Sequence, residues 1–363
     1  MASKTIKLAQ GLVVDKITTL NHARAIEVDQ LLWSKVQAWN DFAHWNHESV
    51  LGDITQALVD MARKEPIPRT VGIEIEVENM SLGAPDSPLG LSGLPDTPYG
   101  WRVHVSPDVQ AFWKIVEDGS LRYGGIELVS IPMVPAQAEL TIPAVYEAMG
   151  GRGSFGFRTS THVHVDVGDY TPLDLLKLIL IYLPIEKLLF ARFPKERSDN
   201  VYCVPIQSTD VCNMIGGYIF KWSVVGNLEN VWQKYGALNL QSTFQKGTVE
   251  FRHMHGSPDP QSVIDWMHIC ERLVSAAKEM PIEDVVHRIM TLNTSSQYQG
   301  FLRTILQDHY GLLPAVDLQQ AMEGGVAQAK TLMRGTADQT VFMDSLLKDA
   351  TFRYPYSLVL ERQ

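Results

Sequence analysis

Glu74, Glu76 and Glu78 alternate with Ile73, Ile75 and Val77 in the run of residues 71–78. With the two-residue period of a strand, the three carboxylates share one face and the aliphatic side chains share the other. Carboxylates set side by side repel one another, so such a row calls for a bound cation or basic partners. The plain alternative is a charged edge strand that faces solvent and blocks aggregation. The same alternation returns at residues 161–167, where His162, His164 and Asp166 stand opposite Val163, Val165 and Val167. A single carboxylate, Glu127, lies in the apolar run of residues 124–130, and Glu250 and Arg252 alternate with Val249 and Phe251. One such residue on one strand is usually structural. Several strands carrying the same pattern point to a common wall. Carboxylates in number with one or two imidazoles suit Mg2+ or Mn2+ better than zinc, because hard ions prefer oxygen. Arg252 adds the planar fork that grips phosphate or carboxylate. Acidic metal ligands beside an arginine are the requirements of phosphoryl transfer.

The elements that must hold these residues are legible as patterns. Strands are expected at residues 71–78, 101–105, 113–117, 124–130, 161–167, 234–240 and 248–254, with a turn at Asp118-Gly119-Ser120. Helices are expected over residues 25–42 and 50–63, over 137–149 with an interruption near Pro143, over 173–193 with a bend at Pro184, and over 261–280. Residues 80–100, rich in Gly, Pro, Ser and Asp, predict a long surface loop. Gly72 is expected to permit close backbone approach at the head of the acidic strand. Strands and helices do not alternate one for one, so the expected class is α+β with a largely antiparallel sheet. Residues 1–66 form a helical N-terminal extension in this reading, and residues 67–363 a catalytic domain with a helical C-terminal part.

The 363 residues suffice for a large core, and 45% hydrophobic with 20% charged residues is ordinary for a soluble globular chain. A net charge of -10 argues against a general nucleic-acid or anionic-membrane surface. Cys203, Cys212 and Cys270 are odd in number and widely spaced, which disfavours a disulfide framework or a zinc site. The first ten residues lack a signal-peptide pattern, and the apolar run at 178–185 is too short to span a bilayer, so a cytoplasmic protein is expected.

These pieces together resemble a family. G-I-E-I-E-V-E, E-D-G-S-L followed by G-I-E-L-V-S-I-P, T-H-V-H-V-D, K-Y-G-A-L-N-L and V-E-F-R occur in the order found in the amidoligases. These are ATP-dependent carboxylate–amine ligases grouped with glutamine synthetase and glutamate–cysteine ligase. The resemblance runs from about Gly72 to Arg252 and leaves the N-terminal extension outside. It implies a curved antiparallel sheet with helices on its convex face, whose concave face holds two or more Mg2+ (or Mn2+) ions and the phosphates of ATP. Carried over residue by residue, Glu76 and Glu127 would hold one ion, with Glu78 or Glu117 as a third ligand. Glu74, His162 and Glu250 would hold the other. His164 would lie near the nucleotide and Arg252 at the γ-phosphate, while Lys234, Tyr235 and Asn239 would line the nucleotide and substrate side. Asp118 and Ser120 match the D-G-S turn without an assigned role. The implied reaction joins a carboxylate to an amine through an acyl phosphate, with Glu74, Glu250 and Arg252 at its centre. The substrates would be small molecules or peptides, and relatives often form dimers or larger rings.

Two other readings compete. H-V-H on a strand suggests a cupin-like metal oxygenase or isomerase, but that would leave Glu74, Glu76 and Glu250 without a role. A non-catalytic binding protein on the same fold would be expected to have lost the acidic residues, which are all present. His253 and His255 fall opposite Glu250 and Arg252 and are expected to be packed or at the strand edge. Arg158, Arg192 and Arg197 are more simply ion-pair residues than phosphate ligands.

Overall fold

In the computed structural model, residues 69–80, 112–116, 118–170, 172–210 and 232–333 are described. The helices expected over 25–42 and 50–63, the strand at 101–105, the loop beyond Met80, Cys212 and Glu117 lie outside them. Six strands form one sheet: β1 (Val71–Val77), β2 (Trp113–Val116), β3 (Ile126–Ser130), β4 (Ser160–Asp166), β5 (Leu238–Asn239) and β6 (Thr248–His255). Their order is β2-β3-β1-β4-β6-β5, and every neighbouring pair is antiparallel. Seven helices are found among the described residues: α1 (Pro135–Met149), α2 (Pro172–Phe190), α3 (Gln241–Lys246), α4 (Pro260–Glu279), α5 (Ile282–Thr291), α6 (Ser295–Leu306) and α7 (Leu318–Met333). The class is α+β. No helix among the described residues is long and apolar enough to cross a membrane.

The alternation in β1 separates the sheet's two faces. Val71, Ile73, Ile75 and Val77 are all buried, each stabilising the fold by about 2 kcal/mol on transfer from water. Val163, Val165, Val249 and Phe251 join them in the core shared with α1, α2 and α4. Helix α4 supplies a stripe at helical spacing through Val263, Ile264, Met267, Cys270, Leu273, Val274 and Ala277. Its start is fixed by Asp259, whose carboxylate accepts from the Gln261 and Ser262 amides, and by Pro260 in the first turn. With one face closed by helices, the other is left to the polar residues.

Several elements differ from expectation, each for a local reason. Helix α1 begins at Pro135 and runs unbroken through Pro143. Pro143 is exposed, so water can serve the Glu139 carbonyl that loses its intrahelical donor. Helix α2 contains Pro184, and nearby carbonyls gain side-chain donors: Gln207 Nε2 donates to Leu183 O and the Tyr298 hydroxyl to Pro184 O, each at 2.8 Å. A Cβ on Gly325 of α7 would sit 1.8 Å from Leu183 O, so glycine is what lets α7 reach α2. The strand expected over 234–240 shrinks to Leu238–Asn239. Gly236 N turns back to Gln233 O at 3.0 Å, and the Val204 amide donates to Tyr235 O and the Ala237 amide to Val204 O, so residues 234–236 turn toward Val204 while Ala237 O still accepts from the Arg252 amide at 2.8 Å.

Candidate metal and phosphate site

Strand register brings the polar residues together. Glu76 stands opposite Glu127 of β3, and Glu74 stands between Val129 of β3 and His162 of β4. His164 lies opposite Gly72 on one side and Glu250 on the other, and Glu250 lies opposite Asn239. Directly opposed side chains on a sheet have Cβ atoms about 4.5–5.5 Å apart. Gly72 therefore leaves the floor beside His164 without a side chain. A Cβ there would meet only His164 Cβ at 3.6 Å, so the open floor, rather than a forced close approach, distinguishes this glycine.

Three overlapping groups have ligand atoms within 4.8 Å of one another: Glu74–Glu127–His162, Glu74–His164–Glu250, and Glu76–Asp118–Glu127. Glu74, Glu76, Glu127, His162 and Glu250, the ligands expected from the sequence, fall into this wall. His164 also joins Glu74 and Glu250 in one of these groups, alongside the expected His162. His162 Nδ1 lies 3.3 Å from Glu74 Oε2 and 3.4 Å from Glu250 Oε1, and its Nε2 lies 2.9 Å from Ser160 Oγ. Ser160 in turn donates from its amide and hydroxyl to Glu76 Oε2, at 2.8 and 2.7 Å. Ser160 thus orients Glu76 and His162 together.

The fit to a cation rests on more than carboxylate number. His164 is buried, with Nδ1 3.0 Å from Thr248 Oγ1. Its Nε2 approaches Glu74 Oε1 at 3.2 Å but has no hydrogen-bond partner. A buried imidazole nitrogen beside the Glu74 carboxylate and outside hydrogen-bond geometry is suited to ligate an ion, and the contact of Nδ1 with Thr248 fixes its ring. Burial raises the Glu74 carboxyl, but the imidazoles of His162 and His164 outweigh it and hold it well below the usual carboxylate range. Burial also raises Glu250, and His162, His164 and Arg252 together reverse the effect. Glu127 has no such compensation: burial and then the charges of Glu74, Glu76 and Asp118 push it up to about 8.

Asp118, whose turn the sequence marks without assigning it a role, joins the acidic group. Its Oδ1 accepts the Ser120 amide at 2.7 Å, closing the D-G-S turn. The turn delivers its carboxylate to Glu76 and Glu127. Glu78 is excluded from this group. Both of its oxygens are held by Arg158, from Nε and Nη2 at 3.0 Å each, and Oε1 also accepts the Arg122 amide. The Arg158 hydrogen bonds hold the Glu78 carboxyl below its ordinary value.

Arg252 occupies the far end of the wall. Its guanidinium pairs with Glu250 Oε1, and its Nε donates to Tyr202 O at 3.0 Å. Asn239 Nδ2 donates to Glu250 Oε2 at 2.7 Å. Tyr235 stands beside Arg252, 5.9 Å from guanidinium carbon to ring centre, and Lys234 Nζ lies 5.7 Å from the same ring. These three residues of the K-Y-x-x-x-N segment thus gather at the Arg252 end, Lys234 and Tyr235 from a turn rather than a strand.

Arg252 sits at a β-bulge. Thr161 pairs with Met254 and Val163 with Phe251, so Arg252 and His253 together oppose His162. The bulge is held from behind by Arg197, buried, whose Nε donates to Arg252 O at 3.1 Å and to His253 O at 3.2 Å. His253 points into the helix layer, where Nε2 lies 2.8 Å from the Tyr182 hydroxyl, and that hydroxyl donates to Glu186 at 2.8 Å. Burial raises Glu186 to about 7 and lowers His253 to about 3. His253 and His255 are packing residues, His255 standing against Phe193.

No family model matches this chain, and no curated protein sequence matches it.

Proposed function

We propose that the chain is an ATP- and Mg2+-dependent carboxylate–amine ligase of the amidoligase kind, with the curved-sheet architecture of glutamine synthetase. The observation that carries the reading is the wall itself. Three overlapping carboxylate-rich groups gather at one half-buried sheet face, one of them contains a buried imidazole nitrogen outside hydrogen-bond geometry, and an arginine borders them. Glu76, Asp118 and Glu127 would hold one Mg2+. Glu74 and Glu250, with His164 or His162, would hold the other. When bound, the ions supply neutralisation of the phosphate oxygens.

The chain's own residues do the rest. Arg252 offers its guanidinium to the γ-phosphate, oriented by Glu250 and Tyr202 O. Ser160 keeps Glu76 and His162 in place, and Asn239 does the same for Glu250. A substrate carboxylate oxygen attacks the γ-phosphorus, and ADP leaves. The amine nitrogen then attacks the acyl carbon, phosphate leaves, and the nitrogen loses a proton to give the amide. Positioning and fixed charge supply most of the rate enhancement. The test is release of ADP and phosphate against panels of amino acids, polyamines and peptide carboxylates, with the product mass read for loss of one water. A pair that stimulates release and yields the condensed mass is expected. Absence of stimulation by any pair, with any residual ATP hydrolysis untouched by Glu250→Ala, overturns the reading.

A further inference from the structure

Among the described residues, one cationic side chain enters the wall from solvent. Lys246, the last residue of α3, places Nζ 3.3 Å from Glu74 Oε1, the same oxygen that His164 Nε2 approaches at 3.2 Å. Its side chain is 56% exposed. Gly247 follows in the left-handed region, with φ 70°, and ends the helix at that point. Arg252 is different in kind: its side chain is 13% exposed and is tied to Glu250 and Tyr202 O. Lys246 is thus a long flexible stem with one ionic contact, and that contact uses a ligand atom. The charge of Lys246 also reaches Glu127, where it opposes the burial and the carboxylates that raise that group. The buried His164 Nε2 without a hydrogen-bond partner faces the same carboxylate oxygen. A divalent ion and an ammonium cannot both be close to Oε1 without strong like-charge repulsion.

We propose that Lys246 is a displaceable counter-ion of Glu74, driven off Oε1 by a divalent cation and then free to bind the phosphate oxygens of the nucleotide. Displacement rests on the contacts alone; the phosphate role rests on the ligase reading above. Nothing covalent changes in either step, and the ammonium keeps its charge throughout.

The two halves predict opposite effects of one exposed substitution. Mn2+ is titrated into the full chain as wild type, Lys246→Met and Lys246→Arg, followed by magnetic resonance of the free ion. The titration is repeated with an ATP analogue whose β–γ bridge cannot be hydrolysed. Lys246→Met is expected to bind Mn2+ alone roughly two- to fivefold more tightly, the scale of a half-exposed ion pair. It is expected to bind the analogue in the presence of Mn2+ at least about tenfold more weakly, the scale of a lost charge-assisted hydrogen bond. Lys246→Arg keeps both affinities near wild type. Mn2+ binding by Lys246→Met that is equal to or weaker than wild type overturns displacement. Unchanged analogue affinity overturns the phosphate role. Failure of the analogue to bind wild type overturns the ligase reading and the phosphate role with it, while tighter Mn2+ binding by Lys246→Met still supports displacement.

Discussion

Glu74 and Glu78 stand on the same face of the same polar row, four residues apart, and have opposite fates. Glu78 is satisfied by protein: Arg158 takes both oxygens and the Arg122 amide takes a third bond. Glu74 meets two imidazoles and an exposed lysine, and its neighbours include further carboxylates. Just past the end of the strand stands a closed ion pair, and at its middle stands a carboxylate shared among imidazoles, a lysine and further carboxylates. The difference comes from what the flanking segments deliver, not from the glutamates. Residues 122 and 158 bring amide and guanidinium to Glu78, whereas β4 and β6 bring ligands to Glu74.

The largest effect that could break this comparison is on turnover. Glu74→Gln keeps the shape but removes a charge shared by two of the ligand groups. A loss of at least about 10³-fold in the proposed ligase rate is expected, with the melting temperature lowered by a few degrees, because His162 and His164 hold the charged carboxylate well below its ordinary range. A steady-state assay beside thermal unfolding checks both. A variant that keeps its rate would make Glu74 another structural glutamate.

A smaller effect concerns pH in protein stripped of divalent ions. Glu127 is raised in the folded state to about 8, against 4.5 for its ordinary value. Between those values the folded chain holds a proton that the unfolded chain releases. Stability therefore falls as pH rises from about 4.5 to 8, and the penalty is complete above 8. Allowing for the partial exposure of Glu127, about 1–2 kcal/mol is expected. Denaturant unfolding across that range should show a flatter profile for Glu127→Gln. An equal slope in both proteins would remove Glu127 from the strained part of the wall.

The smallest effect is just past the end of β1. Glu78→Gln should lower the melting temperature by a few degrees and leave Mn2+ affinity as in wild type. Calorimetry of unfolding and of Mn2+ binding on one preparation separates the two. Loss of Mn2+ binding would place Glu78 among the ligands after all.

Much of this was legible in the chain because strands write their faces into alternate residues. The row of Glu74 and Glu76, the His162–His164 pair, Glu250 and Arg252 all land where a period of two puts them, and the apolar positions between them form the core. What alternation cannot show is register. The place of His164 beside Glu74 and Glu250 depends on His164 lying opposite Glu250, a cross-strand relation no single segment contains. Asp118 belongs to a turn, where side-chain direction follows backbone torsion rather than period, so its D-G-S signature revealed the bend and not the destination of its carboxylate. Glu78 fits the strand pattern fully and was separated from the ligands only by Arg158, eighty residues further on. The short β5 shows a third limit, since Gly236 let the chain turn toward Val204 where apolar content suggested a continuous strand.

The bulge in β6 has one more consequence. If the pairing of β4 and β6 were regular, Arg252 would oppose His162 and the next residue would already oppose Thr161. The strand instead contains one supernumerary residue, and because Arg252 shares the face of Glu250 and His162 while His253 turns to Tyr182, that residue is His253. Sheet faces before and after it are the same with or without this residue. His253 is therefore a splice in the strand, dispensable to the ladder and committed to Tyr182 behind it. Through that splice the residue next to Arg252 is anchored in the helical layer, so the edge of the site is tethered to the interior by a residue that sheet pairing does not require.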